Sequence, residues 1–127
     1  MTETGAPGFA DLLGLTVQDK SKPGTGRVLL EADDQHLNDA GGVHGGVLAT
    51  LVDSAMGQAV RSVTEDGQGL ATSQLTVTYL NPGKPGQLVA TAQVRKRGKS
   101  LVVCDADIEQ DGRAVVHALA TFALLQG

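Results

Sequence analysis

The stretch Gly45-Gly46-Val47-Leu48-Ala49-Thr50-Leu51-Val52-Asp53-Ser54-Ala55-Met56-Gly57-Gln58-Ala59-Val60-Arg61-Ser62-Val63-Thr64 contains no proline and has a helical period. Apolar residues fall at 47, 51, 55, 59 and 63, and again at 48, 52, 56 and 60. Those are two adjacent i+4 ridges, so the spacing predicts one helix with a broad buried face. Loop chemistry at Asp66–Gly69 ends it.

The flanking segments read as strands. Before the helix, Arg27–Ala32 alternates with Val28 and Leu30 on one face, and Asp33–Gly42 is a polar loop. After it come four alternating runs: Ala71–Leu80, Gln87–Lys96, Leu101–Gln110 and Arg113–Leu125. In the first, Ser73, Leu75, Val77 and Tyr79 share a face; in the next two, Leu88, Ala90, Ala92, Val94 and Val102, Cys104, Ala106, Ile108 point inward. Turn signals separate the runs at Asn81–Gly86, Arg97-Gly98-Lys99 and Asp111-Gly112. Phe9–Leu15 carries one helical turn, residues 1–8 read as a frayed end, and Lys20–Gly26 is turn-rich. One helix cannot cover both faces of a sheet. An α+β fold with an antiparallel sheet wrapped around the long helix accounts for the order, and its open face or edge invites a second copy.

Composition narrows the function classes. The 127 residues suit one domain, with 41% hydrophobic and 19% charged residues. Aromatics are only Phe9, Tyr79 and Phe122, too few for the stacking platforms of a single-strand nucleic-acid binder. A net charge of −4 argues against phosphate polymers and anionic membranes. No targeting or membrane-spanning run is visible, and Cys104 is the single cysteine. A cytoplasmic protein with no nucleic-acid or membrane partner is the expectation.

The helix start carries the chemistry. Gly45 and Gly46 leave backbone N–H groups that glycine lets a ligand approach, which suits an oxyanion; the other reading is a flexible loop with a poor helix start. Asp53 lies two turns inside and borders Gly46, Ala49, Gly57 and Val60, all small but the last; the other reading is a solvated face or an ion pair with Arg61 or a basic residue elsewhere. Asn38 and His44 flank the helix start as hydrogen-bonding candidates, or as a turn residue and a cap. His36, His44 and Asp53 match no metal-ligand spacing, and no metal is expected. Eight residues separate Gly45 from Asp53, about 12 Å of helix axis. If both act on one small acyl carbon, a second helix must lie antiparallel alongside, as in a two-fold dimer.

The pattern His36-x-Asn38-x-x-Gly41-x-x-His44-Gly45-Gly46, with Asp53 nine residues after His44, resembles the hotdog-fold acyl-CoA thioesterases of the phenylacetate-pathway group. Thr78-Tyr79-Leu80-Asn81-Pro82 and Arg97-Gly98-Lys99-Ser100 resemble the same family, and the likeness spans residues 27–125. It implies a hotdog fold, a homodimer or a tetramer made of two dimers, and a site across the dimer interface. It implies Asp53 as general base or nucleophile and the Gly45 N–H as the group polarising the thioester carbonyl, with His44 and Asn38 beside them. Related enzymes that carry Glu at the position of Asp53 place Ser or Thr one turn later; here that position is Gly57, and Thr72 or Ser73 is the hydroxyl that could serve instead.

Hydrolysis then releases free acid and CoA from an aryl or short- to medium-chain acyl-CoA, with no cofactor beyond the substrate's own CoA. Gly46, Thr72, Ser73, Tyr79, Asn81, Lys84, Arg97, Gly98, Lys99 and Ser100 complete the candidate substrate contacts. The cations at 95, 96, 97 and 99 are candidates for the CoA phosphates, joined by Lys84 and Asn81; the plainer reading is a solvated hairpin. A noncatalytic acyl-CoA sensor and an acyl-CoA dehydratase are the competing functions. His117 and Cys104 read as structural.

Overall fold

A computed structural model describes residues 8–18 and 22–125. Of the frayed end expected for residues 1–8, residues 1–7 lie outside the described residues, as do positions 20 and 21 of the expected turn. Gly8 is not frayed but caps the short helix that follows it, its carbonyl accepting the Leu12 amide (3.0 Å). The long helix, α2, spans Gly45–Arg61, and a short helix, α1, spans Phe9–Leu13. The strands are β1 (Thr16–Val17), β2 (Thr25–Ala32), β3 (Gly69–Tyr79), β4 (Gly86–Arg97), β5 (Leu101–Gln110) and β6 (Arg113–Leu125). They form one antiparallel sheet in the order β1-β2-β4-β5-β6-β3, with α2 packed chiefly on β2, β4 and β5.

The two predicted ridges are the buried face of α2. Leu51, Val52, Ala55, Met56, Ala59 and Val60 are fully enclosed. They meet Val28, Leu30, Leu88, Ala90, Val102, Cys104, Ala106 and Ile108 from the concave side of the sheet. The helix stops at Arg61 rather than Thr64. Ser62 turns its hydroxyl back onto the Ala59 carbonyl (2.6 Å) and accepts the Gly24 amide (2.7 Å), which ties the helix end to the start of β2. A Cβ at Gly26 would stand 2.1 Å from the Ala55 carbonyl oxygen. Glycine there lets β2 lie directly on α2.

Three features depart from the sequence reading. The two-residue edge strand β1 was not anticipated. Within the polar loop, Asp34–His36 forms a 3-10 turn that buries His36. Its ring accepts the Asp33 amide on Nδ1 (3.0 Å) and donates from Nε2 to the Leu13 carbonyl (2.7 Å), so a buried imidazole holds α1 in place. Finally, a bulge between Thr72 and Gln74 breaks the alternation of β3. Ser73 is the extra residue and leaves the face expected for it; Thr72 takes that face, opposite the buried Phe122. The Asp111-Gly112 hairpin forms as read, with positive φ at both residues (51° and 78°). Among the described residues, no helix is long and apolar enough to cross a membrane.

Candidate active site

The start of α2 borders a cavity of about 470 Å³ lined by Asn38, Val43, Gly45, Leu48, Tyr79 and Pro82, among others. His44 is the N-cap. Its Nδ1 accepts the Gly46 amide at 2.8 Å, so a neutral ring carries its proton on Nε2 and presents a donor. The Val47 and Leu48 amides both go to the His44 carbonyl. The Gly45 N–H is left without a hydrogen bond among the described residues, and it is the open donor of the first turn. Asn38 fixes the preceding loop, its Oδ1 accepting the Ala40 (3.0 Å) and Gly42 (3.1 Å) amides. Its Nδ2 stays available to the cavity that Asn38 lines. Tyr79 closes one side: its hydroxyl donates to the Gly45 carbonyl (2.8 Å), and its ring stands where a Cβ of residue 45 would go.

Asp53 opens onto a different cavity of about 520 Å³, shared with Gly57, Arg61, Leu70, Thr72 and Phe122. Thr72 Oγ1 donates to Asp53 Oδ1 at 2.7 Å. The ion pair with Arg61 weighed as an alternative is not formed. Ser73 instead donates to the Thr121 carbonyl (3.1 Å), so of the two candidate hydroxyls only Thr72 reaches the carboxylate. No residue lines both cavities. Within one chain, Gly45 and Asp53 therefore face separate spaces, as their offset along the helix requires.

The basic hairpin lies at the far end of β4 from the helix start. Arg97 donates from Nε to the Val63 carbonyl (3.3 Å) and also bonds the Gly98 carbonyl, while the Gly98 amide closes the turn onto Leu101 (2.8 Å). The Ser100 carbonyl accepts the Leu124 amide (2.8 Å). Arg95 is paired with Asp105 (2.8 Å) on β5. The side-chain ammonium groups of Lys96 and Lys99 make no hydrogen bond or ion pair among the described residues.

Lys84 and Asn81 sit at the opposite end, beside the first cavity. Gln110 accepts the Lys84 amide (2.8 Å) and donates to its carbonyl (2.7 Å), and Asn81 bonds Ala114 and Arg113. The twelve residues of β4 span roughly 35–40 Å. Lys84 and Asn81 thus do not join Arg97 and Lys99 within one chain, a correction to the single cluster expected. The strand separates groups that a turn-by-turn reading had placed together.

Other side chains build the site without a sequence signal. Gln58 accepts the Arg27 amide (2.7 Å) and donates to the Gln18 carbonyl (2.7 Å), locking β1 and β2 to α2 beside Asp53. A glutamine on a helix has no motif that marks such a bridge. His117 pairs with Asp107 (2.8 Å) on the outer face of the sheet, away from both cavities. Burial foremost, then the charges of Asp105 and Asp53, push the Cys104 thiol up to about 12.

A family model described as the thioesterase superfamily matches residues 40–117. Human acyl-coenzyme A thioesterase 13 is 34% identical over 106 residues, 83% of this chain and 75% of that protein. The Escherichia coli acyl-coenzyme A thioesterase PaaI is 42% identical over 84 residues, 64% of this chain and 56% of that one. The solved E. coli PaaI structure superposes with a TM-score of 0.84 over 93% of this chain and 84% of that one, at 32% identity. A Bacillus halodurans protein solved with CoA reaches a TM-score of 0.88 over 97% of this chain and 82% of that one, also at 32% identity.

Proposed function

Since the chain belongs to the thioesterase superfamily, with the hotdog fold of its solved relatives, we propose that it hydrolyses the thioester of an acyl-CoA, at sites shared between the two subunits of a homodimer. The observation that carries the proposal is the pairing of a Thr72-held carboxylate with an open Gly45 N–H on one helix but in separate cavities. Each cavity holds half of what thioester hydrolysis needs. An antiparallel helix from a second copy brings Gly45 of one subunit beside Asp53 of the other. β3 supports this arrangement: it is an eleven-residue edge strand, hydrogen-bonded on one side to β6, whereas the other edge is the two-residue β1. Pairing β3 with its copy would join two sheets and set the helices side by side. Two such dimers would make the tetramer.

In the reaction, the Gly45 N–H donates to the thioester carbonyl oxygen. Asp53 takes a proton from water as the water oxygen bonds the carbonyl carbon. The carbonyl electrons move to the oxygen, where one preorganised oxyanion donor contributes about 3–4 kcal/mol. Collapse breaks the C–S bond, releases the CoA thiolate and leaves the acid; the thiolate needs no strong general acid. His44 Nε2–H and Asn38 Nδ2 are the side-chain donors beside the carbonyl. Lys99 and Lys96 are free to meet the CoA phosphates. The acyl group proposed is an aryl or short- to medium-chain one.

Thiol release from a panel of acyl-CoA thioesters, with wild type and Asp53→Asn, is the test. Release lost in Asp53→Asn, with dimer and CoA affinity retained, supports the reading. CoA binding without release across the panel would instead make the protein a sensor. A monomer with full activity would overturn the shared site. A single turnover in 18O-labelled water separates general base from nucleophile: label in the Asp53 carboxylate requires direct attack.

A further inference from the structure

All five arginines of the sequence lie among the described residues, and four have partners. Arg27 bonds Gln18, Arg95 bonds Asp105, Arg97 bonds the Val63 carbonyl, and Arg113 bonds Asn81. The Arg61 guanidinium alone makes no hydrogen bond or ion pair among the described residues, although the Arg61 carbonyl accepts from Thr64. It is also the arginine that lines the Asp53 cavity.

The floor between the two charges is Gly57, where an added Cβ would come no closer than 3.9 Å to Phe122. Ala10, Val17, Leu70 and Phe122 supply apolar walls. Those walls are held by groups from elsewhere: His36 fixes the α1 wall through Leu13, and Gln58 fixes β1 through Gln18. The cavity is thus an apolar slot with a carboxylate at one end and an unpartnered guanidinium at the other. Eight residues separate them, about 12 Å of axial rise. A guanidinium offers a planar fork of donors matched to carboxylate or phosphate oxygens. Its placement beyond apolar walls suits a ligand with a greasy middle and an anionic end.

We propose that Arg61 is a specificity residue that reads an anionic group of the thioester, about two helical turns from the scissile bond at Asp53. The inference rests on the assignment of Asp53 to the reaction. The anion has two sources: a carboxylate at the far end of a dicarboxylic acyl chain, or a phosphate of CoA. Both present the same oxygens to the guanidinium, and substrate pairs separate them.

The test compares wild type with Arg61→Gln on glutaryl-CoA and adipyl-CoA, on the neutral butyryl-CoA and hexanoyl-CoA, and on hexanoyl-pantetheine, which lacks phosphates. A tenfold or larger rise in KM confined to the dicarboxylic thioesters, at unchanged kcat, assigns the acyl carboxylate. The same rise for every CoA thioester, but not for hexanoyl-pantetheine, assigns the phosphate. Equal kinetics for both proteins on all five substrates, or an equal loss on all five, would overturn the proposal. Calorimetric titration of both proteins with CoA and with glutarate gives a readout independent of turnover. If wild type hydrolyses nothing, weaker binding of either ligand to Arg61→Gln still supports Arg61, and equal binding refutes it. Retained hydrolysis by Asp53→Asn would refute the catalytic assignment without touching this comparison.

Discussion

Thr72 Oγ1 donates to Asp53 Oδ1 over 2.7 Å, a bond that joins β3 to the middle of α2. The bulge between Thr72 and Gln74 is what aims the threonine at the helix. A bond to one carboxylate oxygen orients the group and leaves the other oxygen for water.

Thr72→Val keeps the shape and removes the donor. It is expected to lower kcat by roughly ten- to a hundredfold, because a hydrogen bond to a charged group contributes about 1.5–3 kcal/mol and 1.36 kcal/mol is tenfold. Thr72→Ser restores the donor and should recover most of the rate. Asp53→Asn should cost about 10²–10⁴-fold, the usual worth of a positioned base. Steady-state kinetics on one acyl-CoA with all three variants decides it; a fully active Thr72→Val would remove threonine from the mechanism.

Gly45→Ala probes the helix start. The new Cβ would sit 3.3 Å from Tyr79 Cζ and Oη. Alanine is the better helix former, so the melting temperature should change little. The ring must still shift from the Gly45 carbonyl it bonds, and the methyl crowds the open N–H. Activity is therefore expected to fall about 10²-fold or more, in line with loss of one oxyanion donor. Tyr79→Phe, which removes the hydroxyl and keeps the ring, should fall much less. Kinetics and melting curves of both variants check the split between catalysis and stability.

Much of this was legible because one period governs each element. The ridges at 47, 51, 55, 59 and at 48, 52, 56, 60 could only be one buried helix face, and β5 begins and ends where alternation put it. The same logic failed where a single residue breaks the period. Ser73 sits out of phase because a bulge inserts it, and a bulge leaves no mark in an alternating run. Lys84 and Arg97 seemed neighbours because both belong to turns; only the length of β4 shows that they occupy opposite ends. The His44 cap is local, two residues from its partner, and was open to the sequence; the Gln58 bridge and the buried His36 depend on partners 40 and 23 positions away, beyond the reach of local pattern.

Gly26→Ala and Gly57→Ala should move stability in opposite directions. At Gly26 the methyl would meet backbone, 2.1 Å from the Ala55 oxygen and 3.1 Å from the Ala59 nitrogen, so α2 and β2 must part. A loss of about 3 kcal/mol or more is expected, at or beyond the usual range of overpacking. At Gly57 the nearest atom, Phe122 Cε2, is 3.9 Å away, and a helix-interior glycine costs roughly 0.5–1 kcal/mol relative to alanine. Gly57→Ala should therefore be stabilised by about that amount while its methyl narrows the Asp53 slot and raises KM for bulky acyl groups. Urea denaturation of both variants, with KM for one small and one bulky acyl-CoA, measures it.

Cys104 gives the pH dependence. Its thiol is fully enclosed between β5 and α2, and burial first, then Asp105 and Asp53, raise it from 9.0 to about 12. The folded state thus holds the thiol protonated more strongly than the unfolded chain does. That contribution to stability is whole below about pH 9 and is lost as pH climbs from 9 towards 12. Urea midpoints should fall across this window more steeply for wild type than for Cys104→Val, which has no thiol to titrate. At pH 8 a chromogenic disulfide reagent should find no reactive thiol in the native protein and one per chain in denaturant, so thiol-release assays need no correction for it. A native chain that reacts at pH 8, or equal alkaline slopes for the two proteins, would place Cys104 nearer solvent than the core around it allows.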